Sequence, residues 1–171
     1  MIYTNIMEFV DRYETEYVSR GLYMTSGGFD PLHIGHLRCI QETVKMASDA
    51  SRYPVQMLPH VVILVNCDKF LIDKKGYAFM PLVERMEIVQ AVAPDAHIIP
   101  WFKENDNDST VIDAIRLLKP TYFTKGGDRF DASTIPEWPV CQEVGCQIIT
   151  GVGGGKIQSS SDLVAKMKGE N

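Results

Sequence analysis

The residues best suited to chemistry lie in one string, Ser26-Gly27-Gly28-Phe29-Asp30-Pro31-Leu32-His33-Ile34-Gly35-His36. Glycines carry no β-carbon, so Gly27 and Gly28 let a bulky anion approach backbone N–H groups. A helix starting just after them adds the partial positive charge of its amino terminus, and a polyphosphate suits such a place. His33 and His36, three positions apart at the helix start, face the same side, and Gly35 between them keeps that side open. Two imidazoles directed at one phosphate region donate hydrogen bonds to oxygens whose charge grows as the α-phosphorus is attacked. That is transition-state stabilisation, not nucleophilic catalysis.

Two later segments have matching chemistry. Thr124-Lys125-Gly126-Gly127-Asp128 follows an apolar run. Gly126 and Gly127 there expose backbone donors and acceptors to a nucleotide, while Asp128 bonds a ribose hydroxyl or holds the loop. Ser159, Ser160 and Ser161 precede a last helical stretch. Hydroxyls beside free helix N–H groups suit the β- and γ-phosphates, and the same residues also make ordinary helix caps.

The elements that must position these groups alternate along the chain. Asn5 to Ser19 places Ile6, Phe9, Val10, Tyr13 and Tyr17 on one helical face, with Asn5 and Glu8 spaced as a capping box. Leu22 to Thr25 reads as a buried strand running into the glycine loop and a helix that carries Ile34, Leu37, Ile40 and Val44. Val61 to Val65 is a β-branched run typical of a strand covered on both faces. A polar stretch from Asn66 to Tyr77 precedes a helix opened by Pro81 with Val83, Met86 and Val89 inward. A strand from Ala96 to Pro100 and a helix capped by Ser109 and carrying Val111, Ile112, Ile115 and Leu118 come next. Thr121 to Thr124 is a strand, Lys125 to Pro139 is turn-rich, and a short helix ends near Gly145. The strand Gln147 to Thr150, the glycine run Gly151 to Gly155 and a helix from about Ser160 complete the order.

This alternation predicts an α/β fold: a Rossmann-like, doubly wound, mainly parallel sheet with helices on both faces and its ligand at the carboxyl ends of the strands. At 171 residues one domain is expected, residues 1–171, with residues 1–20 as an amino-terminal helical extension. Seventeen basic against 22 acidic residues give a net charge of −5, which argues against nucleic-acid or membrane-surface partners. No apolar run reaches the roughly 20 residues that span a bilayer, and the amino terminus lacks a signal-peptide layout, so a cytoplasmic protein is expected. Cys39, Cys67, Cys141 and Cys146 match no zinc-ligand or secreted-framework spacing and are expected to be reduced, small hydrophobes. No protein-held metal site is predicted.

The segment Gly28 to His36 resembles the H-x-G-H motif of the cytidylyltransferase-like nucleotidyltransferase superfamily, which includes sugar-phosphate, pantetheine-phosphate and mononucleotide adenylyltransferases as well as alcohol-phosphate cytidylyltransferases. The likeness extends from about Leu22 to Val164. Asn66-Cys67-Asp68-Lys69-Phe70 followed by Lys74 and Lys75 is similar to the family segment in which a lysine meets a phosphate, and Lys74 fits best. Glu84-Arg85 resembles a Glu-Arg or His-Arg pair of the family. Leu118-Lys119-Pro120 and Thr124 to Asp128 look most like heptose-phosphate adenylyltransferases. Gln158 to Leu163 resembles the Ile-Ser-Thr-Thr-x-Ile signature. Where cytidylyltransferases carry an arginine before these hydroxyls, Gly154 stands here and Lys156 is displaced by two, which tilts the nucleotide toward ATP over CTP.

The resemblance implies an in-line transfer of a nucleoside monophosphate from ATP or CTP to a small phosphorylated substrate, with Mg²⁺ on the polyphosphate and pyrophosphate released. His33, His36 and Lys74 would carry the catalysis. Nucleotide contacts would come from Gly27, Gly28, Phe29, Asp30, His33, Gly35, His36, Lys125, Gly126, Gly127, Asp128, Ser159, Ser160 and Ser161, and substrate contacts from Lys74, Lys75 and Arg85. The resemblance also implies a homodimer. Rival readings are an alcohol-phosphate cytidylyltransferase, a flavin- or nicotinamide-mononucleotide adenylyltransferase, and a nucleotide-binding module without turnover.

Overall fold

The apolar runs become five strands among the residues described: β1 Leu22–Gly27, β2 His60–Asn66, β3 His97–Trp101, β4 Tyr122–Gly126 and β5 Gln147–Val152. The computed structural model describes residues 1–49, 58–102, 110–127, 131–155 and 157–169, apart from the side chains of residues 17 and 19. Ser109, Asp128, Lys156 and the Tyr17 side chain therefore lie outside the described residues. Every strand pair is parallel, in the order β3-β2-β1-β4-β5. The helices are α1 Ile6–Arg20, α2 Ile34–Asp49, α3 Asp68–Lys75, α4 Leu82–Val92, α5 Ile112–Leu118, α6 Trp138–Val144 and α7 Ser160–Lys168. No helix among the described residues is long and apolar enough to cross a membrane.

Side chains of successive strand residues point to opposite faces, and both faces of this sheet are covered, as the β-branched runs predict. Val62 and Leu64 of β2 join a core with Phe9 and Val10 of α1, Phe70 and Leu71 of α3, and Ile115 of α5. Val61, Ile63 and Val65 join a second core with Ile40 of α2 and Met86 and Val89 of α4. The first helix thus packs on the chain's own core. From β1 the chain winds outward through β2 and β3, then returns to lay β4 on the other side of β1. That reversal opens a crevice at the carboxyl ends of β1 and β4, where doubly wound sheets take their ligands.

Three local expectations are corrected. The polar stretch Asn66 to Tyr77 contains α3, an eight-residue helix ended by Gly76 at φ 83°; its charged residues hide a period carried only by Phe70 and Leu71. Val83 does not face inward but is 65% exposed, because Arg85 takes the inward position in the first turn of α4 and is fully buried. The Glu8 N–H donates to Asn5 Oδ1 as a cap requires, but the Glu8 carboxylate accepts from Thr4, not from Asn5.

A chain of neutral polar groups ties the amino terminus to the edge of the sheet opposite the crevice. The Tyr3 hydroxyl bonds His97 Nδ1 at 2.8 Å, and His97 Nε2 meets His60 Nδ1 at 2.9 Å. Burial, then the neighbouring His60, the amino terminus and Arg12, hold the His97 pKa down to about 3. Burial likewise lowers His60. A histidine whose folded pKa lies below its unfolded value near 6.5 contributes stability fully above that pH and loses it as the pH falls toward the folded value. His36 in the crevice behaves the same way, at about 3. The unfolded chain near pH 5 therefore binds about two more protons than the folded one through His36 and His97 alone. Urea midpoints measured from pH 8 to pH 4 are expected to stay flat above about 6.5 and fall steeply below it; a midpoint that rises or stays level down to pH 5 would contradict these assignments.

Candidate active site

The crevice is a cleft of about 400 Å³. Its walls bring together Gly27, Gly28, Phe29, Asp30, His33, Gly35 and His36 from the β1–α2 junction, Lys74 and Lys75 from the end of α3, Lys125, Gly126 and Gly127 from the end of β4, and Ser159, Ser160 and Ser161 from the start of α7. Segments as far apart in sequence as Gly27 and Ser161 thus meet around one space. Of the residues expected from sequence, Arg85 is absent from the lining and Asp128 lies outside the described residues.

His33 and His36 stack at the mouth of α2, ring centroids 3.8 Å apart and planes 23° from parallel. The Gly35 N–H donates to His33 Nδ1 at 3.1 Å, so the neutral His33 ring carries its proton on Nε2. A β-carbon at residue 35 would stand 3.0 Å from His33 Cε1; glycine there lets the ring lie over the helix start. Burial keeps His33 below its ordinary pKa. His36 is held at about 3 by burial first, then by His33 and Lys75. Both rings are neutral hydrogen-bonding groups at physiological pH, not cations. Phe29 packs its ring edge-on to His36, centroids 5.2 Å apart, while His36 Nδ1 is buried with no hydrogen-bond partner among the described residues. An orphaned buried nitrogen is costly in a fold that needs nothing from it.

The cations divide into two kinds. Lys74 is exposed on the cleft wall, its ammonium 6.0 Å from the Phe70 ring centroid. Lys75 is committed to the protein: its ammonium donates to the carbonyl and to Oδ2 of Asp30, each at 2.8 Å. Asp30, only 1% exposed, also accepts from the N–H groups of Phe79 and Met80. Burial alone would raise its pKa, but Lys75 and the two N–H groups outweigh burial and lower it. The Asp30 carboxylate is thus a hub that fastens the glycine loop to the segment after α3.

Arg85 is the clearest correction. It is fully buried and does not line the cleft. Its guanidinium donates from Nε to the Met80 carbonyl at 2.9 Å, from Nη1 to the Gly28 and Asn66 carbonyls at 2.6 and 2.7 Å, and from Nη2 to Asp68 Oδ1 at 2.6 Å. A planar fork with several donors suits this use, which joins the glycine loop, the end of β2, the start of α3 and the start of α4.

At α7, Ser159 caps the helix by accepting the Asp162 N–H at 3.1 Å, which leaves its own hydroxyl proton to donate. Ser160 donates to the Pro31 carbonyl at 2.9 Å, pinning the helix start to the motif loop. Gly153, at φ 81°, lies so close to α2 that a β-carbon would stand 2.6 Å from the Cys39 nitrogen, which brings the glycine run against the helix bearing the histidines. Cys39, Leu71 and Ile157 also line the cleft. Cys39 follows His36 by three positions, so the helical period places it on the same face; Leu71 stayed hidden with the unrecognised α3, and Ile157 had no signal in the sequence. Burial raises the Cys39 thiol pKa. Asp30 is the one carboxylate among the described lining residues, and it faces Lys75, so among the described residues the cleft offers no carboxylate set fitted to hold Mg²⁺.

A sequence model of the cytidylyltransferase-like family matches residues 24–144. The bifunctional protein HldE of Hydrogenovibrio crunogenus (strain DSM 25203 / XCL-2) is 31% identical over 107 residues, which are 61% of this chain. The chain spans only 19% of that relative's length. The crystal structure of the lipopolysaccharide core biosynthesis protein from Thermoplasma volcanium GSS1 superposes with a TM-score of 0.54 over 75% of this chain and 92% of that one, at 17% identity, a likeness of fold alone. With its motif loop and its helices α2 to α6 inside the matched span, the chain belongs to the cytidylyltransferase-like family.

Proposed function

We propose that this protein transfers a nucleoside monophosphate, AMP from ATP, to a small phosphorylated substrate such as a sugar phosphate. The observation that carries this reading is the convergence of the stacked His33 and His36, the glycine loop, the exposed Lys74 and the α7 serines on one cleft at the carboxyl ends of β1 and β4. The substrate's phosphate oxygen attacks the α-phosphorus, a new P–O bond forms, and the bond to the bridging α,β-oxygen breaks so that pyrophosphate leaves with its electron pair. His33 donates from Nε2 and His36 from its neutral ring to oxygens whose charge grows in that step. The start of α7, with Ser159 and Ser161, receives the far phosphates. Mg²⁺, for which this chain offers no carboxylate set among the described residues, would be carried by the triphosphate and would offset its charge.

ATP is favoured over CTP by the Lys125-Gly126-Gly127 segment and by the glycine at position 154. Calorimetric titration with each nucleotide and Mg²⁺ tests this: ATP is expected to bind more tightly, and tighter CTP binding would move the alcohol-phosphate cytidylyltransferase reading ahead.

Lys74 neutralises charge that develops once both substrates are bound. Its alanine variant is expected to lose about tenfold or more in turnover while nucleotide Kd changes by less than about twofold, the pattern of an interaction made in the transition state. Lys75→Ala is expected to differ in kind: it strips the buried Asp30 of its cation and destabilises the fold by about 1–3 kcal/mol. Steady-state kinetics with thermal melts of both variants separate these roles. A silent Lys74→Ala would return that residue to the solvated surface.

A further inference from the structure

Glu137, at the amino-terminal boundary of α6, is 5% exposed and accepts no capping hydrogen bond from that helix. Its Oε1 lies 3.5 Å from Lys125 Nζ. The same ammonium reaches Ser26 Oγ at 3.5 Å and stands 4.6 Å from the Phe123 ring centroid. Lys125 is the next-to-last residue of β4, which lies beside β1, the strand that carries Ser26. Both line the cleft; Glu137 does not. Carboxylate and ring therefore hold the ammonium from within, and the hydroxyl lies on its cleft side. A carboxylate is buried at a cost unless a cation faces it. A buried ion pair is in turn weak support for stability, since apolar groups of the same shape often serve as well. What such a pair does supply is a charge fixed in direction, and here the direction is the crevice where the strand order reverses.

We infer that Glu137 is a positioning residue, a buried carboxylate that fixes the Lys125 ammonium between β1 and β4 so that it meets the polyphosphate of a nucleoside triphosphate. This rests on the nucleotide reading proposed above. Sequence gave no hint of it, because Glu137 lies twelve positions from Lys125 in a turn-rich segment without periodicity.

The test is a double-mutant cycle read by calorimetric titration of the full chain with ATP and CTP, each with Mg²⁺, and with the matching monophosphates. Lys125→Met is expected to weaken binding of the preferred triphosphate by about tenfold or more, the scale of one charge-assisted hydrogen bond, and monophosphate binding by less than about twofold. Glu137→Gln, alike in shape, is expected to weaken triphosphate binding by about three- to tenfold with an unchanged melting temperature, and to add nothing in the Lys125→Met background. If the glutamine variant does not fold, Glu137→Asp carries the same test, since it keeps the charge but withdraws it by one methylene. Equal losses in both backgrounds overturn this inference alone, as does unchanged or tighter triphosphate binding by Glu137→Gln. A wild-type chain that binds neither triphosphate overturns the nucleotide reading together with it.

Discussion

Replacing His36 by alanine is expected to lower pyrophosphate release by about a hundredfold or more, the effect of removing one donor aimed at developing charge, with little change in folding. The structure explains why function and stability should separate here. The His36 ring stacks on His33 and meets the edge of Phe29, yet its Nδ1 is buried without a partner among the described residues. Truncation removes packing and an unsatisfied polar atom together, and the two effects oppose each other. His36→Gln sharpens the comparison by keeping a donor of similar reach, and it is expected to recover part of the loss. Because burial, His33 and Lys75 keep the imidazole neutral down to about pH 3, the wild-type rate is not expected to depend on His36 protonation between pH 6 and 8. A turnover number in His36→Ala equal to that of the wild type would remove the ring from the chemistry.

Arg85→Ala is expected to act in the opposite sense, on the fold first. Alanine leaves the buried carbonyl of Asn66 and the partly buried ones of Gly28 and Met80 without their donor, and the partly exposed Asp68 without its cation. Losing these hydrogen bonds costs about 2–4 kcal/mol, which for a chain of this size lowers the melting temperature by about 5 °C or more. Arg85→Lys is not expected to rescue it, because one ammonium cannot reach acceptors on four segments with the geometry of a planar fork. A substrate-binding arginine would behave differently, with an unchanged melting temperature and a raised KM. Thermal denaturation of the two variants beside the wild type distinguishes the roles, and an intact melting temperature in Arg85→Ala would contradict the one assigned here.

These two residues also mark how far the sequence could be read. His33 and His36 were legible because their spacing, their glycines and their place between a strand and a helix all follow from local rules. The strands were legible too: Val61 to Val65 is apolar on both faces, and the sheet is parallel and covered on both sides. Arg85 was not, since its partners lie 57, 19, 17 and 5 positions away and three of them are backbone carbonyls, which no residue type announces. The fastening role of Asp30 was hidden for the same reason, its carboxylate being engaged by Lys75 and by backbone N–H groups 49 and 50 positions on. Helix α3 escaped because a short element with two buried residues has no measurable period. Ser160 was legible as a helix start, but not as a pin on Pro31, a contact across 129 positions.

Release of pyrophosphate, followed by a coupled assay over a matrix of ATP and CTP against phosphorylated sugars, alcohols and mononucleotides, tests nucleotidyl transfer most directly. The protein is expected to release pyrophosphate from ATP only when a phosphorylated acceptor is present, most strongly with a sugar phosphate. Tight binding of a triphosphate with no pyrophosphate released against any acceptor in the matrix would contradict nucleotidyl transfer and leave a nucleotide-binding module in its place.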